Sequence, residues 1–157
     1  MATRSKSKPS AASGARPPSL QVGALCWRLS SKGRLRILLI TSRDTGRWVI
    51  PKGWTMKKRT DAEAAAREAW EEAGVEGQVG SRPIGLYTYR KILSGGAWIP
   101  CAVRVFALRV QAMRRDYPET GQRTSKWFSP EKAARNVAEP DLAALIRRFD
   151  PEEVDDA

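Results

Sequence analysis

The chain has 157 residues, with 28 Lys plus Arg against 17 Asp plus Glu, two Cys and no His. The missing imidazole excludes a His-ligated zinc site, a Ser-His-Asp triad and a histidine general base, so any base work falls to carboxylates. The length suits one domain with a real core; no apolar run reaches membrane-spanning length or forms the hydrophobic segment of a secretory signal, so no membrane partner is expected.

Residues 1–19, MATRSKSKPSAASGARPPS, hold four basic groups, no acid and few apolar side chains, the composition of a disordered basic tail. Gln21 to Leu29 and Arg34 to Thr41 are apolar runs joined by Ser30-Ser31-Lys32-Gly33, a hairpin signal. Trp48-Val49-Ile50 reads as a short strand stopped by Pro51. Cys26 and Cys101 both fall in apolar runs, which predicts reduced core residues and a cytoplasmic setting.

Thr60 followed three residues later by Glu63 is a capping box, and Gly74 stands where a left-handed residue terminates a helix. The spacing predicts a helix from Asp61 to Ala73, with Ala62, Ala66, Ala69 and Ala73 as a narrow stripe that lets the backbone approach a sheet. On that helix Glu68, Glu71 and Glu72 are related as i, i+3 and i+4, so three carboxylates share one surface. A solvated acidic face is the bland reading of such a cluster. A hard cation held among the oxygens is the functional one, and magnesium or manganese fits this donor chemistry. Glu68 and Glu72 border the alanine stripe and are expected at the seam between helix and sheet, with Glu71 turned toward solvent or substrate.

Beyond the helix, strands are expected at Gln78 to Ser81, Ile84 to Arg90 and Trp98 to Val110, the last two separated by a Gly95-Gly96 turn. Trp127-Phe128 is a final short strand. Ser129-Pro130-Glu131 has the order of an N-cap, a first-turn proline and a first-turn acid; Glu139-Pro140-Asp141 opens another helix ending near Phe149. Residues 150–157 carry five acids among eight residues and read as an acidic tail.

The stretch from Gly53 to Val75 resembles the signature of the Nudix hydrolases, G-x5-E-x7-R-E-U-x-E-E-x-G-U with U apolar. Gly53, Arg67, Glu68, Glu71, Glu72 and Gly74 match six of its seven fixed positions, and Ala69 and Val75 fill the apolar ones. The seventh fails, because Arg59 stands where the family has its first Glu. The resemblance covers residues 20–149 and implies an α/β fold, a Nudix-type α/β/α sandwich with a mixed sheet. Looser similarity in the flanks points to the diphosphoinositol polyphosphate and diadenosine polyphosphate hydrolase branch. It rests on Arg43 and Arg47 before Trp48-Val49-Ile50-Pro51-Lys52-Gly53, on Arg90-Lys91, and on Gly121-Gln122-Arg123 before Trp127-Phe128-Ser129.

The resemblance implies a pyrophosphohydrolase that needs Mg2+ or Mn2+. Glu68 and Glu72 are the expected metal ligands, helped by the Gly53 carbonyl; Glu71 is a further ligand or orients the attacking water, and Arg67 orients the glutamates. Arg43, Lys52, Arg90, Lys91 and Arg123 are the candidate phosphate contacts. Glu63 is the acid expected to compensate for Arg59, and Glu119, with neighbouring Asp116, is the acid nominated from outside the signature. Residues 20–149 hold 24 basic against 12 acidic groups, a field that favours an anionic, phosphate-rich small molecule. RNA fits the charge too, but no base-reading motif is present and the six Trp are scattered. The competing class is a catalytically silent module of the same fold that binds nucleotide, inositol phosphate or RNA.

Overall fold

The computed structural model describes residues 17–153. Its central strand is β1 (Ser19–Leu29), whose run from Val22 to Trp27 is buried on both faces, as expected of a strand covered from two sides. On one side β1 runs parallel to β7 (Trp98–Met113). On the other side its edge is shared: β2 (Leu35–Thr41) pairs with Trp27, Arg28 and Leu29, and β4 (Lys52–Trp54) pairs with Gln21, Val22 and Gly23. The sheet therefore forks along β1, and the chain crosses the fork at Pro51, whose carbonyl accepts the Ala24 N–H at 3.0 Å.

The remaining strands extend both wings. β3 (Trp48–Val49) and β8 (Ser125–Phe128) pair with β2, while β5 (Val75–Val79) and β6 (Gly85–Ile92) pair with β7. Among the described residues this makes one mixed sheet of eight strands, with every pairing antiparallel except β1 with β7.

The two-residue alternation of strands sorts the core into two layers. Leu25, Ile37, Leu39, Val103 and Val105 face α2 (Pro130–Asn136) and α3 (Pro140–Arg148). Ala24, Cys26, Leu38, Ile40 and Phe106 face α1 (Asp61–Ala73). The expected α/β/α sandwich is the architecture observed.

α1 begins and ends where its caps require. The Thr60 hydroxyl accepts the Glu63 N–H at 3.1 Å, the Glu63 carboxylate accepts the Thr60 N–H at 2.9 Å, and Gly74 is left-handed with φ 69°. A Cβ at Gly74 would also lie 2.5 Å from the Arg114 carbonyl oxygen, so glycine is required there twice over. The buried face of α1 is wider than the expected stripe: Ala64 and Ala65 are fully buried and Ala66 only half-buried. The helix packs against β1, β4 and β5 at once, and a broad contact needs more than one row of small side chains.

Several expected strand boundaries move. The strand placed at Gln78 to Ser81 is β5, which starts at Val75 directly after the Gly74 turn, because β7 continues to Met113 and offers it an edge. β6 ends at Ile92 rather than Arg90. β4 had no strand signal at all, since Lys-Gly-Trp has little β character until β1 supplies its ladder. Both cysteines are free and buried, and burial pushes the Cys26 thiol up to about 12.

Ser19 belongs to β1, and Pro151–Glu153 form a turn of 3-10 helix. Residues 1–16 and 154–157 lie outside the described residues. No helix among those described is long and apolar enough to cross a membrane.

Candidate active site

The fork brings the signature residues together. Gly53 on β4 turns its missing side chain toward α1, and a Cβ there would lie 2.3 Å from the Glu68 carboxyl carbon. Only glycine lets the two segments meet with that carboxylate between them. Glu68 and Glu72 are 2% and 8% exposed, one turn apart on the face of α1 that meets the sheet. Glu72 reaches the fork, where it accepts the Lys52 N–H at 3.4 Å and lies 3.5 Å from an Arg123 guanidinium nitrogen.

Burial pushes the Glu72 carboxyl up to about 7; Arg123 opposes the shift and the neighbouring Glu68 adds to it. Two neighbouring buried carboxylates set against Gly53 form a hard-oxygen donor set. They fit magnesium, which takes one or two carboxylates and completes its shell with water and phosphate oxygens.

The Glu71 carboxylate is held by the Arg67 Nε at 2.8 Å, an i, i+4 ion pair on α1. Among the described residues no three acidic or thiol side chains converge as a metal cage.

A second wall comes from the segment before β8. The Glu119 N–H donates to the Glu71 carbonyl at 3.0 Å, and Tyr117 packs edge-on against Trp70, so this segment is tied to α1. Its acid enters the site: Glu119 accepts from Arg123 Nε at 3.2 Å. Asp116 is exposed on the same segment and takes no part. The Glu63 carboxylate accepts the Thr60 N–H of the helix cap, while Arg59 is exposed in the loop before α1.

The cations divide by location. Arg43, 53% exposed, donates to Gln122 at 2.9 Å and lies 3.8 Å from Glu119. Lys52 sits with its ammonium 4.8 Å from the centre of the Tyr89 ring. Burial lowers its pKa; Glu72 opposes that shift, while the positive fields of Lys91, Arg123 and Arg47 reinforce it. Lys91 lies over Trp54 at 5.8 Å, toward the same side of the sheet. Arg90, the next residue along the strand, faces the reverse side and stacks on Trp98 at 4.4 Å. The adjacent pair Arg90-Lys91 therefore divides between the two faces of β6.

Sequence reasoning missed two contributors, Gln21 and Tyr89. Gln21 accepts from the Tyr89 hydroxyl at 2.7 Å, and the pair forms a buried polar rung beside Lys52. Arg47 holds buried Glu139 at 2.9 Å. A lone Gln at the start of an otherwise apolar strand was the available signal for the first.

The raised pKa of Glu72 makes a stability prediction. Folding favours its protonated form, so its contribution is fully present below the ordinary value of 4.5 and is lost as pH rises through about 7. In metal-free buffer at pH 8, Glu72→Gln should exceed the parent by on the order of 2 kcal/mol, with the gap closing in acid. Urea unfolding across pH measures this; parallel stability curves would show that the carboxylate is not strained.

A family model described as the NUDIX domain matches residues 19–149. Nudix hydrolase 12, mitochondrial, of Arabidopsis thaliana is 35% identical over 107 residues, 64% of this chain and 51% of that protein. The chain thus spans about half the length of that relative. Diphosphoinositol polyphosphate phosphohydrolase 3-alpha of Mus musculus is 29% identical over 133 residues, 83% of this chain and 77% of that protein. Among solved structures, the Ap4A hydrolase of C. elegans aligns with a TM-score of 0.62 at 22% identity, covering 85% of this chain and 96% of that one, a likeness of fold.

Proposed function

The chain belongs to the Nudix family, and from that premise we propose that it is a metal-dependent hydrolase of phosphoanhydride bonds in a substrate with several adjacent phosphates. Dinucleoside polyphosphates and diphosphoinositol polyphosphates are the classes it fits best. The observation that supports this most is the pair of buried carboxylates set against Gly53, faced across the fork by Lys52 and Arg123.

Glu68 and Glu72, with the Gly53 carbonyl, are the groups that would hold magnesium or manganese. Bound there, the ion supplies charge neutralisation for the bridging phosphates and an acidified water. Glu71, fixed by Arg67, is placed at the rim to orient that water. Lys52, Lys91, Arg43 and Arg123 gather on the approach, where charge-assisted hydrogen bonds position a phosphate chain and offset charge developing on it. Arg90 alternates with Lys91 along β6 and is the candidate phosphate contact on the α1 face of the sheet. The reduced, buried thiols favour a cytoplasmic setting, although the Arabidopsis relative is named as mitochondrial.

The test is turnover of a substrate panel with magnesium or manganese: a dinucleoside hexaphosphate, a diphosphoinositol phosphate, a nucleotide sugar and triphosphate-ended RNA. The two polyphosphates should be preferred, and their KM should rise more steeply with salt than that of the sugar, because exposed charge is screened. Replacing Arg43 and Lys91 together by Glu should raise the polyphosphate KM by on the order of tenfold and leave the sugar little changed. Preference for the sugar with equal salt dependence would overturn the substrate assignment. Tight binding of any of them without turnover would identify the silent module instead.

A further inference from the structure

One guanidinium is placed unlike the other cations of the cleft. Arg123 is buried, with 9% of its side chain exposed, and all three of its nitrogens are directed inward. Nε lies 3.2 Å from Glu119, Nη1 donates to the Thr41 carbonyl at 3.2 Å, and Nη2 is 3.5 Å from Glu72. Arg43 and Lys91, by contrast, remain at or near the surface. The Glu72 carboxylate that Arg123 faces is also one assigned above to the divalent cation. A guanidinium and a divalent ion on one buried carboxylate repel each other, and low dielectric magnifies the repulsion.

The three contacts are unequal. Glu119 is anchored by its own N–H on the Glu71 carbonyl, and Thr41 is held in β2 with its N–H on the Thr124 carbonyl at 2.9 Å. The Glu72 contact is the longest, and the Glu72 carboxylate keeps a second donor in the Lys52 N–H at 3.4 Å. Arg123 can give it up while keeping the other two.

We infer, resting on the metal-dependent reading above, that Arg123 is a positioning residue that occupies the cationic place at Glu72 in the metal-free protein and yields it when a divalent cation binds. In the metal-free state it offsets the burial of Glu72. Once the cation has that carboxylate, the same guanidinium faces the approach with a free nitrogen for a phosphate oxygen. Metal affinity is thereby held down until an anion arrives to neutralise Arg123, so cation and polyphosphate bind cooperatively.

The test is Mn2+ affinity, read from the free-ion resonance without turnover, in the parent protein and in Arg123→Gln, Arg123→Lys and Glu72→Gln. Arg123→Gln should bind Mn2+ at least tenfold tighter, whereas mere structural damage would weaken binding. Arg123→Lys, which keeps a charge in place, should stay within about threefold of the parent. Equal or weaker binding by Arg123→Gln overturns the inference. Retained binding by Glu72→Gln would instead show that the metal site itself is misassigned, a separate failure. If Arg123→Gln does not fold, arginine Nε–H spectra of the parent decide: magnesium should shift the Arg123 signal, identified by its absence in Arg123→Lys, and an unmoved signal refutes the handover.

Discussion

Glu72→Gln should lower the rate of phosphoanhydride hydrolysis by about three orders of magnitude while leaving the protein folded. The amide keeps the size of the side chain and can still accept the Lys52 N–H, so the fork remains built. It removes the charge that would hold a cation, and stabilisation by a bound metal is worth several kcal/mol at about 1.4 kcal/mol per tenfold in rate. Because Glu72 is buried beside Glu68, its neutralisation also relieves repulsion, so the variant loses activity and gains stability together. Loss of both would indicate a merely structural glutamate. Full activity with magnesium would remove Glu72 from the site. Initial rates and urea unfolding on the same preparation distinguish these outcomes.

Gly53→Ala should damage activity nearly as much, for a different reason. The new methyl carbon would lie 2.3 Å from the Glu68 carboxyl carbon and within 2.6 Å of both its oxygens, so one of the two must move. The carboxylate is the far end of a flexible side chain and yields more readily than the backbone of β4, which is paired to β1. The cost therefore falls on the site: the rate should drop by roughly 10²-fold, and stability by about 1 kcal/mol. A double-mutant cycle isolates the cause. Glu68→Ala opens space for the methyl group, so the stability cost of Gly53→Ala should shrink in that background while activity stays lost. Additive stability losses would place the strain elsewhere in the backbone.

The local chemistry of this protein was legible in its sequence. Thr60, Glu63 and Gly74 bounded α1 without help from the rest of the chain, because capping satisfies backbone groups within a single turn. The positions of Glu68 and Glu72 at the helix–sheet seam followed from helical period alone. Ser129 and Pro130 opened α2 in the same way. In each case the partner atoms lie within a few residues, so sequence distance and spatial distance coincide.

What only the tertiary structure decided involves partners far apart in the chain. The strand β4 exists because β1 lends it a ladder across about thirty residues, and β5 begins early because β7 is long. The role of Gly53 is visible only when Glu68 is seen against it. Glu71 pairs with Arg67, an ion pair that helical spacing allows but does not require. Arg123, read from sequence as a candidate phosphate contact, also joins Thr41, Glu72 and Glu119 with its side chain largely covered. Side-chain period determines which face a residue takes; which charges meet there depends on the packing of segments that the chain brings back from a distance, and burial then sets how strongly they act.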